Sequence, residues 1–179
     1  REWRLNKFNV IMPEAVLTAT GNWAALGASG GPADQAQQPQ KRRTAMNFRL
    51  DIADAGGLLS RLGMKGVIGR GKGKMEGQMA WIGSPLALDY PTLSGAFNVN
   101  VETGQFLKAE PGIAKLLGVL SLQSLPRRLT LDFRDVFSDG FGFDFVRGDV
   151  QIEQGIATTN NLQMKGVNAA VLMEGRADI

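Results

Sequence analysis

Apolar and polar residues alternate along most of this chain. In residues 44–53, Met46, Phe48, Leu50 and Ile52 fall on one parity, and Asn47, Arg49 and Asp51 on the other. A period of two marks a half-buried β-strand. Residues 93–102 repeat it, with Leu93, Phe97, Val99 and Val101 against Ser94, Asn98, Asn100 and Glu102. Residues 3–12 carry Trp3 and Leu5, then Phe8, Val10 and Met12, so the parity changes at Asn6-Lys7 and a bulge is expected there. Residues 15–23 keep one parity, and the Pro13-Glu14 junction predicts a hairpin with the run before it. Residues 74–81 place Met75, Gly77, Met79 and Trp81 on one face, and residues 85–90 do the same with Leu86, Leu88 and Tyr90. Further runs carry Leu131 and Phe133; Phe141, Phe143 and Phe145; Val150 and Ile152. Short strands at 156–159 and 162–165 follow, then a last run with Val167, Ala169, Val171, Met173 and Ala177 on one parity.

Two segments have helical spacing instead. Asp54 can cap a short helix over 55–62 that ends at Gly63, with Leu58, Leu59 and Leu62 on one face. Residues 109–126 read as an apolar helical insertion in which Ile113, Leu116, Leu117 and Leu120 are spaced for one face, stopped by Pro126. Residues 27–43 read as a flexible loop, rich in Gly, Ala, Gln and Pro in its first part. The expected fold is mainly β: an antiparallel meander with one apolar face and one or two short helices. That face could fill a closed barrel or sandwich, or remain partly open as a groove, and the pattern allows both.

Composition narrows the chemistry. The 179 residues include no His and no Cys. That excludes a Ser–His–Asp triad, a thiolate nucleophile, disulfides and zinc sites with nitrogen or sulfur ligands. No catalytic residue, metal ligand or cofactor is assigned. A cluster of Asp132, Asp135, Asp139, Asp144 and Asp149 could in principle support carboxylate chemistry, but strand parity and turn position place them as solvated residues. The net charge of +3 is mild, and the Lys41-Arg42-Arg43 and Arg127-Arg128 clusters lack interleaved aromatics, so no nucleic-acid partner is expected. Gly69-Arg70-Gly71-Lys72-Gly73 lacks the spacing of a phosphate loop and reads as a glycine-rich turn or bulge into a strand. No apolar run approaches the ~20 residues that span a bilayer.

Several blocks resemble the YhdP family of AsmA-like, TamB-related envelope proteins of Gram-negative bacteria. They are TATGNWAALG at 18–27, FRLDIAD at 48–54, GSPLALDY at 83–90, the stretch 104–145 and NNLQMKGVNAAVLMEG at 160–175. The resemblance implies a segment toward the C-terminus of a longer protein, with residues 1–179 forming one β-groove unit. It implies a curved, taco-shaped sheet with an apolar concave face. It further implies a periplasmic location in an inner-membrane-anchored protein, no enzymatic activity, and phospholipid as the partner. In that frame the groove candidates are Phe48, Leu50, Phe97, Val99, Val101, Leu131, Phe133, Phe143, Phe145, Val150, Ile152, Val171 and Met173. Met75, Met79, Met164 and Met173 suit an adaptable lining. Ile113, Leu116, Leu117 and Leu120 would cover one edge of the groove or meet a membrane surface. The alternative is a structural or scaffold β-module of the envelope that binds another protein.

Overall fold

A computed structural model describes residues 2–26, 41–107, 140–167 and 170–179. The alternating runs become eight strands: β1 (Glu2–Ile11), β2 (Ala15–Ala25), β3 (Arg42–Ile52), β4 (Ile68–Ile82), β5 (Ser94–Phe106), β6 (Phe141–Glu153), β7 (Ile156–Gly166) and β8 (Ala170–Asp178). They form one antiparallel sheet in the order of the sequence, each strand paired with the one before and the one after it. The sheet is open: β1 and β8 are its two edges. The expected mainly β meander is therefore the observed fold.

Local chemistry accounts for the irregularities. The register of β1 on β2 shifts between Leu5 and Phe8, at the parity change. β4 starts earlier than the alternation alone predicts, because the glycine-rich segment 69–73 lies inside it. Arg70 and Gly71 there have φ of 60° and 93°, so this segment is an irregular stretch of strand, as its composition suggests. β7 joins the two short strands expected at 156–159 and 162–165, with a register shift against β8 between Thr159 and Leu162. β3 takes in Arg42 and Arg43, which the loop reading assigns to the connection; they pair with Ala25 and Ala24.

Two expectations are corrected. Residues 85–90 are not a strand. Ser84 folds this stretch into a turn, its hydroxyl accepting from the Leu86 N–H at 3.2 Å and its carbonyl from the Ala87 N–H at 3.2 Å. A 3₁₀ turn at Tyr90–Thr92 follows, and Leu86 is 98% exposed. Helix α1 (Ala55–Arg61) ends one residue short of Leu62, which serves as its C-cap and is exposed. Its buried face is Ala55, Gly56 and Leu58. The Asp54 carboxylate caps it as expected, accepting from the Gly57 N–H at 3.1 Å. The apolar insertion 109–126 and the strand carrying Leu131 and Phe133 lie outside the described residues.

A helix of this length is marginal alone and is held by tertiary contacts. Arg61 donates to both Glu14 oxygens, at 3.0 and 2.9 Å, tying α1 to the β1–β2 turn. The Arg61 hydrogen bond holds the Glu14 carboxyl below its ordinary range. Its contribution is fully present above the ordinary glutamate pKa and is lost as pH falls through the lowered folded value. Amide exchange at Leu58 is accordingly expected to accelerate, relative to the central strands, below about pH 4. Glu14→Gln should remove that acid step.

Candidate functional site

Register carries the apolar parity across the sheet in continuous rows. One row runs Ala15, Ile52, Gly73, Val101, Val146, Met164, Val171 from β2 to β8. The next runs Val10, Leu17, Leu50, Met75, Val99, Gly148. A third runs Phe8, Ala19, Phe48, Gly77, Phe97, Val150. A fourth runs Leu5, Gly21, Met46, Met79, Gly95, Ile152, Ala157, Ala177. Met173 faces Leu162 on the same side as Val171. The opposite face carries Asp51 against Lys74 and Arg49 against Glu76, with Asn and Gln around them.

The apolar face is buried at both ends of the strands and half-open between them. At the α1 end, Ala15, Ile52, Val101, Phe141, Phe143 and Met164 pack with Ala55 and Leu58 of the helix. The Phe106 and Phe143 rings meet there, centroids 5.1 Å apart. At the other end, Trp81, Leu93 and Ile152 form a second buried cluster. Between them Phe48, Leu50, Met75, Phe97, Val99 and Val150 are only half-buried. Phe48 and Phe97 lean on one another across Gly77, centroids 6.4 Å apart.

Glycine permits the curvature of this face. A Cβ on Gly77 would collide with the Ala96 carbonyl and lie 2.6 Å from Phe97 Cα and Cβ. A Cβ on Gly73 would collide with the Asn100 carbonyl and lie 2.7 Å from Val101 Cα. In both places the neighbouring strand leans over the apolar side, so the sheet bends toward that face.

The groove candidates divide as follows. Phe48, Leu50, Phe97, Val99, Val150, Val171 and Met173 share the apolar face and are half-buried; Val101 and Ile152 share it and are buried. Phe143 belongs to the buried cluster at the α1 end. Phe145 is elsewhere. It pairs with Glu102, and its ring lies under the Arg147 guanidinium, 4.0 Å away, on the charged face. The β6–β7 register shifts between Phe143 and Phe145, which breaks the parity they share in sequence. Leu131, Phe133, Ile113, Leu116, Leu117 and Leu120 lie outside the described residues. Met46, Leu17 and Val146 extend the rows beyond the groove candidates. Parity marks Met46 and Leu17, but register is needed to align them with Phe97 or Val99.

Two features lie on the charged face. Asp149 accepts from Asn161 Nδ2 at 2.7 Å and from Asn98 Nδ2 at 3.1 Å. These bonds lower its pKa and pin β5, β6 and β7 together as a structural carboxylate. Asp144, also exposed, has no part in that network. A recess of about 620 Å³ also opens here, lined by Arg4, Asn22, Asn47, Gln78 and Ser94 among others, where the small side chains of Ala45 and Ala80 leave room. Among the described residues, no helix is long and apolar enough to cross a membrane.

A sequence model of one family, described as YhdP protein, matches residues 1–179. The chain belongs to the YhdP family. It is 27% identical over 164 residues to a protein of Escherichia coli (strain K12) described as intermembrane phospholipid transporter YhdP. That alignment covers 91% of this chain and 12% of the relative, so the chain spans about an eighth of the relative's length. No solved structure matches. In this member of the family the described residues form an open antiparallel sheet with one continuous apolar face.

Proposed function

We propose that this chain is a non-enzymatic segment of a phospholipid conduit, in which acyl chains lie against the apolar face while headgroups stay wet. The observation that carries this reading is the half-open strip from Leu50 and Phe48 through Met75 and Phe97 to Val150. It crosses strands in register and is bordered by a buried cluster at each end. Neighbouring strands are ~4.8 Å apart, so eight strands give a path of about 34 Å. The Escherichia coli relative is described as an intermembrane phospholipid transporter, which supports phospholipid as the cargo. In this reading the segment sits in the periplasm, as part of an envelope protein anchored in the inner membrane.

Transfer sets its own requirement. Each buried methylene is worth about 0.8 kcal/mol, so a tail in a shaped pocket would be held fast. A row of similar aliphatic, aromatic and thioether groups keeps the free energy nearly level as the tail slides. Met75 and Met79 suit such a surface because an unbranched thioether repacks easily. Met164, in contrast, is buried in the α1-end cluster and supports the sheet.

Photo-crosslinking amino acids at Phe97 and Val99 are expected to capture phospholipid in cells, and one at Gln151 on the charged face is not. Folded protein that captures no lipid from either apolar position would sink the conduit reading. It would favour a scaffold module that binds another protein.

A further inference from the structure

Among the described residues, one charged side chain interrupts the apolar face. Along the rows described above no side chain is charged. The parity of Phe48, Met46 and Thr44 continues along β3, however, to Arg42 at the start of the strand. Arg42 pairs with Ala25, which puts Trp23 on the diagonal and within reach of a long side chain. Its guanidinium carbon lies 4.2 Å from the centroid of the Trp23 ring. Trp3 stands directly opposite Trp23 and is 56% exposed.

Among the described residues this corner has donors and no matching acceptors. Arg42 is half-buried and makes no ion pair among the described residues. The Trp23 indole N–H is buried and makes no hydrogen bond among the described residues. By contrast Arg4, Arg49 and Arg61 each have a carboxylate. A guanidinium stacked on an indole keeps its in-plane N–H groups available, and their fork matches the oxygens of a phosphate. Met46, the first half-buried apolar residue on that face of the strand, lies four positions on, about 13 Å away. The ligand that satisfies both features is amphiphilic: an anionic phosphate group at one end and a hydrocarbon chain at the other.

We propose that Arg42, stacked on Trp23 with Trp3 beside it, is a phosphate-binding site at the rim of the apolar face. It holds the headgroup of a phospholipid whose tails lie against the rows beyond Met46. This rests on the conduit reading for the tails; the anion site itself rests on the guanidinium without an ion pair, stacked on the Trp23 ring.

The test compares lipids with the same tails. Native mass spectrometry of the 179-residue chain is run with dioleoyl phosphatidylglycerol and with dioleoylglycerol, which lacks the phosphate. Tryptophan emission is titrated in parallel with sn-glycerol 3-phosphate, which lacks the tails. The wild-type chain should retain the phosphatidylglycerol about tenfold better than the diacylglycerol, the range of one charge-assisted contact. Arg42→Gln should abolish that preference by lowering the first value and leaving the second. Arg42→Lys keeps the charge without the flat fork, and should reduce the preference to about threefold. It also provides the answer if circular dichroism shows the glutamine variant unfolded. A preference that survives both substitutions would overturn the anion site while leaving the conduit reading standing. If neither lipid binds but glycerol phosphate perturbs the emission in an Arg42-dependent way, the site stands as one for free phosphate and the conduit reading falls. If neither lipid nor glycerol phosphate acts on the wild-type chain, both fall.

Discussion

Replacing Gly77 with valine should lower the urea midpoint of the chain by about 1–2 M, equivalent to roughly 3 kcal/mol. The added Cβ would collide with the Ala96 carbonyl and the backbone of Phe97. Neither obstacle is a flexible side-chain tip that can swing aside; both belong to the paired strand β5. Relief requires β4 and β5 to separate or the sheet to flatten, and either disturbs the row of Phe48, Phe97 and Val150. Gly175 is the matched control, because a Cβ there meets nothing within 4 Å. Gly175→Val should shift stability by no more than about 0.5 kcal/mol. Equal effects at the two positions would mean that close approach at Gly77 does not set the bend.

On the conduit reading, Phe97→Asp should abolish lipid transport in a cellular complementation assay while leaving the protein folded and abundant. Phe97 is half-buried, so a carboxylate there can keep some water when the face is empty. A hydrocarbon tail crossing that position would strip the water away, and an unpaired charge next to hydrocarbon costs several kcal/mol. Since ~1.4 kcal/mol is a factor of ten, even a partial penalty slows passage by two orders of magnitude or more. Gln151→Glu changes charge by the same amount on the exposed opposite face and should leave transport unaffected. Transport that tolerates aspartate at Phe97 would show that tails do not pass over this row.

How much of this could be read from sequence depended on how far parity persists without interruption. Within β3, and in β5 as far as Val101, it runs unbroken, and Phe48, Leu50, Phe97 and Val99 are where alternation puts them; beyond it Thr103, with φ of 54°, breaks the parity of β5. The bulge in β1 was equally readable, because Trp3 and Leu5 disagree in parity with Phe8 and Val10. Parity fails where pairing slips. Phe143 and Phe145 are two residues apart in one strand, yet a register shift against β7 leaves one in the core and the other under Arg147. It fails also where local hydrogen bonds outcompete alternation, as Ser84 does in the turn that exposes Leu86. Arg42 was hidden for a different reason. In a run of three basic residues it looks like a solvated cluster, and only its shared parity with Thr44 and Met46 hints that it turns to the apolar side. That Trp23 receives it is a cross-strand fact, which no single run of residues contains.

The strictly sequential order of the strands has a consequence for how such a molecule is made and lengthened. Every described strand pairs only with its neighbours in the chain, from the tight β1–β2 hairpin to the β5–β6 pair, whose partners run from Phe106 with Phe141 to Gly95 with Ile152. Low sequence separation between partners favours fast folding, and assembly of this kind is nearly one-dimensional. The sheet can therefore zip up progressively from its first hairpin while later residues are still emerging. By the same logic, inserting or deleting a whole hairpin alters the extent of the apolar face by about 10 Å and leaves the other pairings intact. A sheet built this way can be lengthened or shortened by whole hairpins without re-registering the strands that remain.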